Sequence, residues 1–130
     1  MFTIEQIHQA FTKVKSGADF PQFVQDLKGI GVIFYDNFVS DGRTKYYGSN
    51  GFSLNAESKY PEMQVNDISS SDSLKHAISI HQQGQTDYPT FCKQAADAGV
   101  EKWRTHMIEM TVTYLDKKGE KLTVEPIPMP

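Results

Sequence analysis

The chain has 130 residues and a mass of 14.7 kDa, is 38% hydrophobic and 22% charged, and carries a formal net charge of -3. These values fit one soluble domain of ordinary core size and exclude a disordered tail or a nucleic-acid binder driven by bulk positive charge. The single cysteine excludes an intrachain disulfide and a cysteine-rich zinc site.

Thr3 and Gln6 have capping-box spacing, and Ile4, Ile7, Phe11 and Val14 follow at helical spacing. Gly17 is placed to end this first helix in a left-handed conformation. A second helix is predicted from Asp19, with Pro21 in its first turn and Phe20, Phe23, Val24 and Leu27 as its apolar stripe. Gly29 and Gly31 stop it. Val32 to Val39 is rich in β-branched and aromatic residues and predicts a strand. The Asp41-Gly42 turn leads to a return strand at Thr44 to Gly48, with Tyr46 and Tyr47 on opposite faces. Asn50-Gly51 marks a further turn, and Phe52 and Leu54 suggest a third short strand.

Between Asn55 and Asn66 no element is assigned, and Pro61 argues against a central strand. Asp67 to Ser73 is a polar, helix-capping linker. Leu74, Ala77, Ile78 and His81 predict a helix ended by Gly84. Asp87 and Pro89 open another helix. From Trp103 to Leu115 the pattern alternates and reads as one strand, with Ile108, Met110, Val112 and Tyr114 sharing a face. Residues 116–120 turn the chain, and Leu122 and Val124 return. Residues 126–130 form an extended tail with Pro126, Pro128 and Pro130.

Two windows are alike. Residues 19–32 read DFPQFVQDLKGIGV and residues 87–100 read DYPTFCKQAADAGV, identical at five of fourteen positions without a gap. Each follows an amphipathic helix ended by glycine (Gly17, Gly84) and precedes a predicted hairpin. The expected architecture is therefore a single α+β domain, with an internal duplication of a helix–helix–β-hairpin unit over about 3–66 and 70–125. The hairpins would join in a mainly antiparallel sheet with helices packed on one face. The alternative is that both windows share only the grammar of a capped helix running into a strand.

The repeat also weighs candidate chemistry. Cys92 aligns with Val24 on the core stripe, which makes it a packing residue before it is a nucleophile. Trp103 aligns with Tyr35, so each seals the core or lines a pocket. The histidines at 8, 76, 81 and 106 have no metal-ligand spacing, and no metal or cofactor is expected. His81 reads as a core or boundary residue. No serine elbow, Walker loop or dinucleotide fingerprint occurs.

Trp103-Arg104-Thr105-His106 is the densest set of ligand-capable side chains, and Arg104 with His106 suits an anion or an acidic partner. Arg43-Thr44-Lys45-Tyr46-Tyr47 interleaves bases and aromatics as a nucleic-acid contact does, although the net charge argues against a strong footprint.

Phe91-Cys92, Gly99-Val100 and Trp103, with Met110 to Tyr114, Asp116, Gly119 and Glu125 to Pro128, resemble a YdfO-like family of small bacterial proteins. Its members are often prophage-encoded and sometimes labelled "phage envelope protein". The likeness is sharpest over residues 88–128 and looser at Phe20, Phe23 and Leu27. The resemblance implies a compact α+β fold and no established activity. Some members place an acid three positions after the tryptophan, where this chain has His106. The envelope label fits poorly, because the longest apolar run, Ile30 to Tyr35, is far short of the roughly 20 residues a membrane span needs.

The leading expectation is a cytoplasmic, non-enzymatic, prophage-derived module that binds a protein, a small molecule or a second copy of itself. Its contact residues are expected at Tyr88, Trp103, Arg104 and His106. The runner-up is a small enzyme or ligand-binding protein with a pocket near Tyr88, Trp103 and His106. A nucleic-acid accessory role, resting on residues 43–47, ranks third.

Overall fold

The computed structural model describes all 130 residues, Met1–Pro130. Helix α1 (Ile4–Phe11) opens on a reciprocal cap. The Thr3 hydroxyl accepts from the Gln6 N–H at 3.2 Å, and the Gln6 side chain accepts from the Thr3 N–H at 2.8 Å. Helix α2 (Phe20–Gly29) buries Phe23, Val24 and Leu27 along one stripe. Ser70 caps α3 (Ser71–Gln82), and the Asp87 carboxylate caps α4 (Tyr88–Asp97) by accepting from the Thr90 N–H at 2.9 Å. Asp87→Ala is expected to cost about 1 kcal/mol, visible as a lower Tm in a thermal melt. An unchanged melt would mean that this cap contributes nothing net.

The aligned Asp19 works differently. Its carboxylate accepts from the backbone N–H groups of Lys15 and Ser16 at 2.8 and 3.3 Å. It thereby closes a single 3-10 turn, Gly17–Asp19, ahead of α2.

Six strands form one antiparallel sheet: β1 (Phe34–Phe38), β2 (Thr44–Tyr47), β3 (Ser53–Ala56), β4 (Val100–His106), β5 (Thr111–Asp116) and β6 (Lys121–Pro126). Their order is β3-β2-β1-β4-β5-β6. The molecule is thus a single α+β domain with an open sheet. The β1–β2 turn uses Gly42 at φ 75°, and the β2–β3 turn uses Asn50 and Gly51 at φ 56° and 77°, the left-handed geometry that the Asp-Gly and Asn-Gly signals anticipate.

The core has two clusters. Ile7, Phe23, Leu27, Tyr35 and Met107 belong to one, and Leu74, Ile78, Phe91, Cys92 and Trp103 to the other. Alternation puts the strand residues of both on one face, so the helices cover that face and leave the other open. Each half of the chain runs helix, helix and a three-stranded meander, and β1 meets β4 at the centre. In that central pairing Asp36 lies opposite Arg104. These residues are 68 apart, the same offset that aligns the two sequence windows.

Several expectations need correction. Each half contains three strands rather than a hairpin; in the first half the third is the short strand that Phe52 and Leu54 suggest, and in the second half it is an addition. The expected single strand from Trp103 to Leu115 is two, β4 and β5, separated by a turn at residues 107–110. Met107 is buried there and Ile108 is 59% exposed, the reverse of the alternation. Met110 takes φ 55° in this turn, held by backbone bonds from its N–H to His106 and to its carbonyl from Ile127.

Helix α1 ends at Phe11, and Gly17 starts the 3-10 turn instead of ending that helix. Phe11 is 61% exposed rather than part of the core stripe. Phe2, which carried no periodic signal, is buried edge-to-face on Phe52 at 4.8 Å between ring centroids. In the tail, Pro126 completes β6 and Ile127 is buried.

Candidate functional site

The two core clusters meet along a seam, and the seam is not filled. A cleft of about 640 Å³ opens between the helices and the sheet. Its floor includes Tyr35, Thr44, Tyr46 and Trp103, and its walls include Phe20, Phe23 and Tyr88. At the mouth lie His8, Phe11, Lys59 and Tyr88, of which Phe11 and Tyr88 leave 61% and 45% of their surface in water. Large apolar side chains held at the rim of a concave apolar surface are a common mark of a ligand site.

A second cleft of about 510 Å³ shares Val14, Phe20, Tyr35, Tyr88 and Trp103 with the first, so the two form one groove. Adding 68 to the residue numbers of the first lining returns residues of the second. Phe23 maps to Phe91, Asn37 to Thr105, Thr44 to Val112, and Tyr46 to Tyr114. On the shared seam Phe20 maps to Tyr88 and Tyr35 to Trp103.

The ends of the groove differ. Lys59, whose equivalent is Ile127, supplies an ammonium that donates to the Gly42 carbonyl at 2.8 Å and the Thr44 hydroxyl at 3.0 Å. Burial draws its pKa below the ordinary lysine value, and the nearby Asp41 carboxylate opposes that shift. Both of its protein partners are neutral. An anionic or carbonyl group entering the groove would find its only side-chain ammonium here.

Cys92 lies behind this end, 1% exposed, beside the hydroxyls of Tyr60 and Tyr88. Burial pushes its thiol above the ordinary cysteine value, which leaves little thiolate for attack. Burial likewise raises the pKa of Tyr60, whose hydroxyl donates to the Val39 carbonyl. Nothing in this cluster is an activated nucleophile, and the core assignment of Cys92 stands on its burial. His81 stacks on Phe91 with centroids 4.7 Å apart, and its Nδ1 meets the Thr86 carbonyl oxygen at 3.0 Å. No group of three or more His, Cys, Asp or Glu side chains converges.

The residues singled out from sequence separate into two places. Tyr88 and Trp103 line the groove. Arg104 and His106 lie on the opposite, uncovered face of the sheet, because β4 alternates. Tyr88, Trp103 and His106 therefore do not form one pocket. The Arg104 guanidinium grips Asp36 with two bonds, Nε to Oδ1 at 2.8 Å and Nη2 to Oδ2 at 2.9 Å, and Lys102 adds a third at 3.2 Å. Asp36 is fully buried beneath them. The Asp36 hydrogen bond raises the Arg104 pKa further.

Residues 43–47 divide in the same way. Thr44 and Tyr46 enter the cleft, whereas Lys45 and Tyr47 join Arg104 and His106 on the open face. Sequence reasoning missed Lys59 and Phe20 as lining residues. Phe20 was within reach through its alignment with Tyr88; Lys59 sits in a stretch without any periodic signal.

The family described as "Protein of unknown function (DUF1398)" matches residues 8–126. No curated protein matches the chain.

Proposed function

The chain belongs to the DUF1398 family, a family of unknown function, and from that premise we propose that it is a non-enzymatic module that binds an elongated apolar carboxylate in its seam groove. The observation that carries the reading is the groove itself. It is concave, aromatic-walled and open, with one ammonium at one end. Apolar burial would supply most of the affinity, and Lys59 would orient the carboxylate. The burial of Cys92 and its raised thiol pKa support binding over catalysis.

An internal duplication belongs to the same proposal. Its support is the offset of 68 shared by the sequence windows, the central register pair and the two cleft linings. A cytoplasmic location and a YdfO-like, prophage-derived origin belong to it as well. The first is supported by the single, buried thiol, and the second by the spacing from Phe91 to Trp103. No helix is long and apolar enough to cross a membrane.

Trp103 is the only tryptophan and sits in the groove, so it reports on occupancy. Titrating the protein with the hexanoate-to-dodecanoate series is expected to shift Trp103 emission saturably, more tightly for longer chains. Lys59→Met is expected to weaken carboxylate binding about tenfold and leave the matching alcohols unaffected, the effect of losing one charge-assisted hydrogen bond. Emission that stays flat across the whole series overturns the reading.

A further inference from the structure

We propose that the uncovered face of the sheet binds single-stranded nucleic acid. The register stacks this face into three rows, each running across the central strands. The first is aromatic: Tyr47, Phe34 and His106 stand side by side, with centroids 4.3 and 5.9 Å apart and planes within 25° and 18°. The second carries Lys45 and Arg104 on either side of Asp36. In the third, Lys102 lies opposite Phe38, and both Arg43 and Lys102 sit over the Phe38 ring, at 4.2 and 5.6 Å.

Arg43, Lys45, Lys102 and Arg104 thus surround Asp36 on this face, and the register adds Lys121 beyond Leu115, in a molecule whose net charge is -3. Arg104 and Lys102 are committed in part to Asp36, but Arg43 and Lys45 make no ion pair. Glu109 stands at the edge, 3.9 Å from His106.

Charge alone would suit any polyanion. The aromatic row selects among them. Its two ends are flanked by small residues, with Ser53 opposite Tyr47 on β3 and Thr111 opposite His106 on β5. A planar base placed in either gap continues the stack, while its phosphates reach the adjacent cations. An acidic peptide would use the cations and leave the row idle. A duplex hides the base faces that the row would meet. The juxtaposition depends on the β1–β4 register, which brings residues 43–47 and 102–106 to one surface.

The test is fluorescence anisotropy with the full chain and end-labelled oligo-dT at low salt. Binding is expected in the micromolar range and should weaken steeply with added salt. The double substitution Arg43→Gln with Lys45→Gln is expected to reduce the slope of log affinity against log salt by about 0.7 for each phosphate that is no longer neutralised. Tyr47→Leu is expected to weaken binding about tenfold at fixed salt as base stacking disappears. The Arg43 and Lys45 changes remove no buried group, so they remain informative if Tyr47→Leu fails to fold. Three results overturn the proposal: no binding at low salt, equal affinity for poly-glutamate, or equal affinity for a DNA hairpin duplex.

Discussion

Replacing Arg104 with alanine is expected to destabilise the fold by about 3 kcal/mol, more than replacing its partner Asp36. The asymmetry follows from where each charge sits. Asp36 lies at the middle of the central strand pair with no exposed surface, whereas the Arg104 and Lys102 side chains keep 36% and 26% of theirs. Without Arg104, a buried carboxylate keeps only the Lys102 ammonium. Without Asp36, both cations relax into water, and Asp36→Ala is expected to cost nearer 1 to 2 kcal/mol. Urea unfolding of the two single variants and the double variant measures the pair directly. A greater loss from Asp36→Ala than from Arg104→Ala would contradict this ordering.

The second large effect is expected at Gly99. This residue follows α4 at φ 86°, and a Cβ there would stand 2.6 Å from the Ser69 Cα and 3.0 Å from the Ile68 carbonyl oxygen. The obstacle is backbone, so it cannot rotate away. Moving it would also disturb the Ser70 N–H bond to the Ala98 carbonyl, 2.9 Å, and the Ser69 hydroxyl bond to Asp116, 3.1 Å. Gly119 supplies the control, with φ 79° and open space around its missing Cβ. Gly119→Ala should lose about 1 kcal/mol from the left-handed backbone alone, and Gly99→Ala about 2 to 4 kcal/mol. Chemical denaturation of the two variants gives both values, and equal losses would mean that the segment from Ile68 to Ser70 is not seated against α4.

Much of the fold is legible because its signals are local. Three of the four helices announce themselves through caps at Thr3, Ser70 and Asp87, and all four through periodic apolar stripes. Two hairpin turns announce themselves through Asp41-Gly42 and Asn50-Gly51. The β4–β5 turn has no such signal. Its conformation comes from the docking of Ile127 on Met110 and from the Glu109 N–H bond to the His106 ring at 3.1 Å. The first is a tertiary fact and the second a local ring contact outside the usual turn signals, and the run from Met107 to Met110 is apolar enough to imitate a strand. Phe2 was silent for a related reason, since its pocket is built by Phe52 and Gly48, far along the chain.

The site was half legible. Alternation within β4 already separates Trp103 from Arg104 and His106, and the groove contains Tyr88 and Trp103. What alternation cannot supply is the register between strands nearly seventy residues apart. That register seats Arg104 on Asp36 and merges two short basic runs into one surface. The same long-range pairing accompanies a groove lined by both Phe20 and Tyr88, which joins two unrelated-looking stripes in one lining.

The central pair also limits how the molecule can assemble. Asp36 and Arg104 occupy equivalent positions in the two halves and face each other in the sheet. Two first halves joined through β1 in that register would set one Asp36 carboxylate against another, and two second halves joined through β4 would oppose guanidiniums. Carboxylates at this depth repel by several kcal/mol, whereas the partly exposed guanidiniums part into water. The first half is therefore complementary to the second and hostile to its own copy, so exchange of halves between chains preserves the pairing only when it is mutual.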